Sequence, residues 1–148
     1  MYSKKCIKIQ FIIFEIINCL NYKSFIMNKI EKINLSEKFS KFTDLWSPKI
    51  IGRLNGQLVK IVKFKGEFVW HKHDNEDELF YVIEGEFTME LRDKSIEMYP
   101  GDMIIIPGGV EHKPVAEKEV KVMVFEPETT LNTGDTDSDF TVKNLDTI

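Results

Sequence analysis

The sequence predicts an all-β protein, a sandwich or barrel built of short strands. Three observations carry this expectation. From Lys49 onward, short runs rich in β-branched and aromatic residues recur at regular spacing, separated by turn residues. No helical period fills the gaps between them, which is the texture of a sandwich or barrel. An Asn55-Gly56 dipeptide stands between two such runs, residues 50–54 and 58–64, and is the pair a tight hairpin turn prefers.

Taken in order, residues 27–48 read as an N-terminal arm. Ile30, Ile33, Leu35, Phe39, Phe42 and Leu45 fit neither the helical nor the strand period cleanly. We expect an opening strand near residues 31–35 and then an irregular or short helical stretch to Trp46, packed on the outside of the barrel or on a partner subunit. The hairpin follows. Residues 68–73 are the next expected strand. Residues 79–83 lead through the Glu84-Gly85-Glu86 turn to a return strand, 87–92, and Asp93-Lys94 turns into 95–99. Pro100-Gly101-Asp102 is another turn. The run from Met103 to Ile106 is wholly apolar, so burial on both faces is expected. Pro107-Gly108-Gly109 breaks it, and two strands, 113–116 and 120–125, close the barrel, which is expected to occupy residues 49–127. The tail, 128–148, sets Glu128, Asp135, Asp137, Asp139 and Asp146 against Lys143. It reads as an acidic, solvated arm that Phe140 and Val142 could anchor.

Composition bounds the rest. At 148 residues, 43% hydrophobic and 30% charged, the chain suits one soluble domain with a real core. The net charge of −4 argues against a nucleic-acid surface as partner. The first 26 residues differ from the remainder. Lys4 and Lys5 precede an apolar run, residues 9–20, as in a secretory signal, but Gln10, Glu15 and Asn18 interrupt it and no small-x-small cleavage site follows. It is too short and too polar to span a bilayer. We expect translation to start at Met27, with residues 1–26 a non-native or flexible leader and no membrane association. Without that leader the chain carries 16 basic and 23 acidic residues, a net of −7. Cys6 and Cys19 both lie in the leader. The barrel therefore has no disulfide and no thiolate ligand, which fits a cytoplasmic location.

Chemistry concentrates in two stretches, Gly66 to Gly85 and Gly101 to Ala116. They hold all three histidines of the chain, His71, His73 and His112, together with Glu78. A strand turns residues two apart to one face, which places His71 and His73 side by side. Three imidazoles and a carboxylate on neighbouring strands are a donor set for Zn, Fe, Mn, Ni or Cu.

At these residues the chain resembles the cupin superfamily, in the form of its small single-domain members. Gly66, the His71-Lys-His73 triplet, Glu78 and Gly85 follow the first motif of that family. Gly101, Pro107-Gly108-Gly109 and His112 follow the second. There are two departures. Four residues, not five, separate Gly66 from His71, and Ala116 stands where an Asn usually closes the second motif. The resemblance covers about residues 50–127. It implies a double-stranded β-helix, or jelly roll, with His71, His73, Glu78 and His112 on the metal-ligand positions and one divalent ion, Mn, Fe, Zn or Ni, as cofactor.

With both histidines inward, strand alternation puts Val69 inward and Phe68, Trp70 and Lys72 outward. Phe80, Val82, Met103 or Ile104, and Val122 or Met123 complete the expected cavity. Asp77 is a candidate acceptor for a ligand histidine. Arg92, Glu111 and Lys113 are weaker candidates, read as surface groups; Tyr81 and Tyr99 are candidate donors to a substrate, with strand parity against Tyr81. The function expected is that of a metal-dependent enzyme on a small molecule, dioxygenase-like or sugar isomerase-like. The alternative is a non-catalytic module that binds a small molecule or sugar. Apolar outward residues, Leu79, Tyr81 and Ile83, need cover, so a homodimer is expected.

Overall fold

A computed structural model describes residues 30–148, and residues 33–148 form one compact unit. The expected leader lies outside the described residues. Seven strands follow one short helix, α1 (Leu35–Phe39): β1 (Lys49–Leu54), β2 (Gln57–Glu67), β3 (Glu78–Glu84), β4 (Phe87–Leu91), β5 (Ser95–Met98), β6 (Met103–Ile106) and β7 (His112–Pro127). The all-β class and the jelly-roll architecture are as expected.

β1 and β2 form the foreseen hairpin. Leu54 faces Gln57, and Asn55 and Gly56 both adopt positive φ, 53° and 79°, as a type I′ turn requires. The strand that organises the roll is β7, 16 residues long. Its first half pairs with β4, from Leu91↔His112 to Thr88↔Val115. Its second half pairs with β3, from Leu79↔Phe125 to Glu84↔Lys121. β2 runs antiparallel along both halves, from Gln57↔Pro127 to Glu67↔Val115. The two expected closing strands, 113–116 and 120–125, are therefore one strand that changes partner from β4 to β3 along its length. Its exposed Glu117, Lys118 and Glu119 mark the change, opposite a register shift between Phe64 and Gly66. Val62, Phe64, Phe80, Val82, Met89 and Val122 are among the side chains packed in the core so enclosed.

Three other expectations are corrected. Residues 31–35 are not a strand. Asn34 caps α1 instead, its side-chain oxygen accepting from the Glu37 N–H at 3.1 Å. Phe39 and Phe42 then bury against Ile51 and Ile61 on the outside of the roll, with Lys63 Nζ donating to the Phe42 carbonyl at 2.7 Å. The arm packs on its own barrel. β6 is not buried on both faces. It pairs with β3 alone, so Met103 and Ile105 stay 59% and 54% exposed while Ile106 is buried. An apolar run four residues long carries no sign of which face is covered. Residues 68–73 are mostly outside any strand, with His71 in a lone bridge to His112.

The tail is not a solvated arm. Ile50 N–H donates to Asp146 O at 2.8 Å, Ile148 N–H to Ile50 O at 3.0 Å, and Asp135 N–H to Lys72 O at 3.1 Å. Asn132 spans its own segment, donating to Phe140 O at 2.8 Å and accepting from Val142 N–H at 2.9 Å. Phe140 does anchor the tail, 5.8 Å from the Trp46 ring and 5.2 Å from Phe68. Among the described residues no helix is long and apolar enough to cross a membrane.

Gly134 is where the tail comes closest to the metal-motif loop. Its φ is +52°, and an added Cβ would collide with the Lys72 carbonyl. Gly134→Ala is expected to destabilise the fold by about 2 kcal/mol or more in chemical denaturation, since both the backbone conformation and the space exclude a methyl group.

Candidate metal centre

The backbone places His71 and His112 before their side chains act. His71 N–H donates to His112 O at 3.1 Å, and His112 N–H returns the bond at 2.9 Å, which brings the two ring centroids to 4.2 Å. His73 is held from behind, its carbonyl accepting the Gly109 N–H at 2.6 Å. Glu78 enters as the first residue of β3. The loop carrying Asp74–Asp77 and the turn at Gly108 are in close contact, and a Cβ on Gly108 would lie 3.0 Å from the Asn75 carbonyl carbon. Asp77 serves that contact. Its carboxylate accepts the Gly108 N–H at 3.0 Å, so it locks two loops together rather than orienting a histidine ring as expected.

The four predicted residues converge. One donor atom from each of His71, His73, Glu78 and His112 lies within 4.8 Å of every other, and all four side chains are buried. The protonation pattern matters more than the distances. His71 Nδ1 lies 3.0 Å from Val69 O, and His112 Nδ1 lies 3.0 Å from Val110 O. A carbonyl only accepts, so in each neutral ring Nδ1 carries the proton and Nε2 offers a lone pair. His112 Nε2 is buried without a hydrogen bond, 3.3 Å from Glu78 Oε2. This nitrogen therefore faces a carboxylate at short range, and a cation between them would give both groups a partner. His73 Nε2 lies 3.2 Å from the same oxygen. This donor set fits a divalent metal ion.

Electrostatics point the same way. Burial pushes the Glu78 carboxyl up, but the close His112 and His73 rings outweigh it and hold the group well below the usual carboxylate range. Burial, reinforced by the neighbouring His112, pushes His71 down to about 4. Burial also lowers His73, yet its hydrogen bond and charge interaction with Glu78 prevail and leave it raised. At neutral pH the site presents a carboxylate and a neutral His71, the protonation states in which such groups ligate metals.

A small cavity of about 40 Å³ adjoins this cluster, and His71 and Glu78 are part of its wall. Trp46, Val62, Phe64, Phe68, Phe80 and Val124 supply the apolar lining. Phe80 was expected there. Val69 was not found there, because residues 68–70 leave strand geometry and Phe68 turns in while Val69 stays half-exposed. Val82 and Val122 belong to the core, and Met103 is exposed. Trp46 was missed. It has a left-handed backbone, φ 57°, and stacks on Phe64 at 4.6 Å and on Phe68 at 4.8 Å. A buried pair was missed as well. Lys60 Nζ meets Glu126 Oε1 at 2.6 Å, the two residues 0% and 1% exposed, and Glu126 lines the cavity. Strand alternation alone does not announce a charged residue facing inward.

The weaker charged candidates pair with other side chains outside the cavity. Arg92 grips Glu111 through Nε and Nη2 at 2.9 and 3.1 Å and lies over the Trp70 ring. Lys113 pairs with Glu67 and Glu90. Tyr99 is exposed and Tyr81 half-buried.

The sequence pattern that defines the cupin domain matches residues 58–127. A cupin-2 domain protein of Shewanella frigidimarina is 48% identical, with a TM-score of 0.64 over 65% of this chain and 94% of that one. Protein NMB1881 of Neisseria meningitidis is 29% identical, with a TM-score of 0.61 over 66% of this chain and all of that one. The YdbB protein of Bacillus subtilis is 38% identical over 64 residues, 43% of this chain and 57% of its own length. The match thus spans a little over half of that relative.

The lowered His71 has a measurable consequence. Its unfolded value is 6.5 and its folded value about 4, so the stability it contributes is present above 6.5 and is lost as pH falls toward 4. In chelator-treated protein the stability difference between wild type and His71→Gln is expected to shrink by about 2 kcal/mol from pH 7 to pH 4.5, read by urea denaturation at both pH values. A difference that does not change with pH would show His71 to be exposed or already charged.

Proposed function

Because the chain belongs to the cupin family, we propose that His71, His73, Glu78 and His112 hold one divalent metal ion and that the protein is a metal-dependent enzyme acting on a small molecule. The observation that carries this reading is the buried His112 Nε2 with no hydrogen bond, facing an ionised Glu78. A protein without a metal has no use for that confrontation, which leaves a buried polar atom unpaired at a cost of about 1–3 kcal/mol.

A divalent ion supplies Lewis acidity to a bound oxygen, and a redox-active one supplies dioxygen chemistry as well. The residues set the conditions. The Val69 and Val110 carbonyls fix which nitrogen of His71 and His112 faces inward. Trp46, Phe64, Phe68 and Phe80 exclude water from one side of the cluster. No Arg or Lys is among the residues lining the cavity, and the nearby Lys60 is committed to Glu126. An apolar or aromatic substrate, as for a dioxygenase-like reaction, therefore suits the cavity better than a sugar phosphate does. The absence of cysteine from the described residues is compatible with a cytoplasmic enzyme.

Elemental analysis of purified protein tests the metal. Near-stoichiometric iron, manganese, nickel or zinc is expected, and substituting both His71 and His112 by Ala should strip it while circular dichroism stays β-rich. Full metal retention in the double variant would sink the assignment. Oxygen uptake with catechols and diketones then tests the reaction class.

We infer a homodimer as well. The exposed Met103 and Ile105 lie on an edge strand beside the half-buried Leu79, Tyr81 and Phe125, a surface that α1 leaves uncovered. Light scattering is expected to give twice the chain mass, and Ile105→Glu to shift the population toward monomer. A wild-type chain that remains monomeric at high concentration refutes this.

A further inference from the structure

Glu126 is the cavity residue that the metal reading leaves without a task. Polar side chains in the wall are few, and the others are occupied. Trp46 Nε1–H donates to Lys65 O at 3.1 Å. Asn132 spends both ends of its amide on Phe140 and Val142. His71 and Glu78 belong to the cluster. Glu126 gives Oε1 to Lys60 at 2.6 Å, but its Oε2 is buried with no hydrogen-bond partner.

A buried carboxylate oxygen without a donor is expensive, and such atoms in folded proteins usually mark the place of a water, ion or ligand. Lys60 explains how the group stays in place. The ammonium fixes the carboxylate in one rotamer, from β2 to the facing strand β7, where Lys60 and Val124 are partners two residues from Glu126. Glu126 is then the acidic residue of β7 set among the apolar Val62, Phe64 and Val124 of the wall, with one buried oxygen still free to accept.

We propose that Glu126, clamped by Lys60, is the residue that binds a hydroxyl or amine group of the substrate, and that the substrate is a small molecule otherwise apolar in character. The inference rests on the reading of this cavity as a substrate site beside the metal cluster. Burial and the nearby charge of Glu78 push the Glu126 carboxyl up to about 8 against the pull of Lys60, so the group is an ionised acceptor at mildly alkaline pH. A site built around such an acceptor discriminates sharply, because an analogue of the same shape without a donor leaves the acceptor unpaired.

The test uses two rings of nearly equal shape, phenol and fluorobenzene, titrated into the full metal-loaded chain at mildly alkaline pH and followed through the Trp46 indole resonance. Wild type is expected to favour phenol by about tenfold or more. In Glu126→Gln, which turns an amide donor where the acceptor was, the preference is expected to fall toward unity with metal content unchanged. If that variant unfolds around an unpaired Lys60, the double substitution Lys60→Met with Glu126→Gln removes both charges and gives the same readout. Equal binding of the two rings by wild type, no binding of phenol, or a preference that survives Glu126→Gln would overturn the assignment; the last outcome would give phenol selection to the metal cluster. A chain that takes up no metal yet selects phenol through Glu126 would refute the metal reading and leave this one standing.

Discussion

The reciprocal backbone hydrogen bonds between His71 and His112 hold the site together. The two residues are 41 positions apart in sequence, His71 outside any strand and His112 at the start of β7. Because main-chain groups make the link, ring positions do not depend on side-chain packing alone. Each ring then bonds its own neighbouring carbonyl, and the lone pairs are aimed before any ligand arrives. Asp77 repeats the logic one loop away, tying the Glu78 side of the site to the Pro107-Gly108-Gly109 turn. The four-residue cluster is therefore preorganised by backbone and carbonyl contacts.

Fold class and site residues were legible in the sequence to different depths and for different reasons. The hairpin at Asn55-Gly56 was readable because its turn demands two residues with positive φ, a local requirement. The convergence of His71, His73, Glu78 and His112 was readable because strand alternation pairs the first two and the resemblance to the two cupin motifs implies the other two beside them. What failed was context. β6 looked buried because four apolar residues in a row say nothing about whether a neighbour covers them. Phe68 and Val69 exchanged roles because alternation holds only while the chain stays a strand, and β2 ends at Glu67. Lys60 and Glu126 were invisible because their meaning lies in a pairing across 66 residues.

The tail shows how composition can mislead. Its acidic and polar residues suggested solvation, yet many of them make bonds inward. Asn132 staples its own segment, Thr133 Oγ1 meets Thr141 Oγ1 at 2.8 Å, and Thr136 Oγ1 donates to Trp70 O at 3.0 Å. Small polar residues satisfy loop backbone groups where no sheet ladder does. Phe140 then completes an aromatic cluster with Trp46 and Phe68, so segments from both ends of the described chain close over the same side of the site. The wall of the cavity is thus assembled from parts far apart in sequence, and its shape is a property of the complete fold.

The Lys60–Glu126 clamp also bears on how this protein can change over generations. Losing either partner strands a buried charge, at a cost of about 3–5 kcal/mol, whereas replacing both by apolar groups is often close to neutral. Single-step drift at either position is closed, and the accessible route is a joint change. A protein that lost both together would carry a cavity of different chemistry beside the same histidine and glutamate cluster.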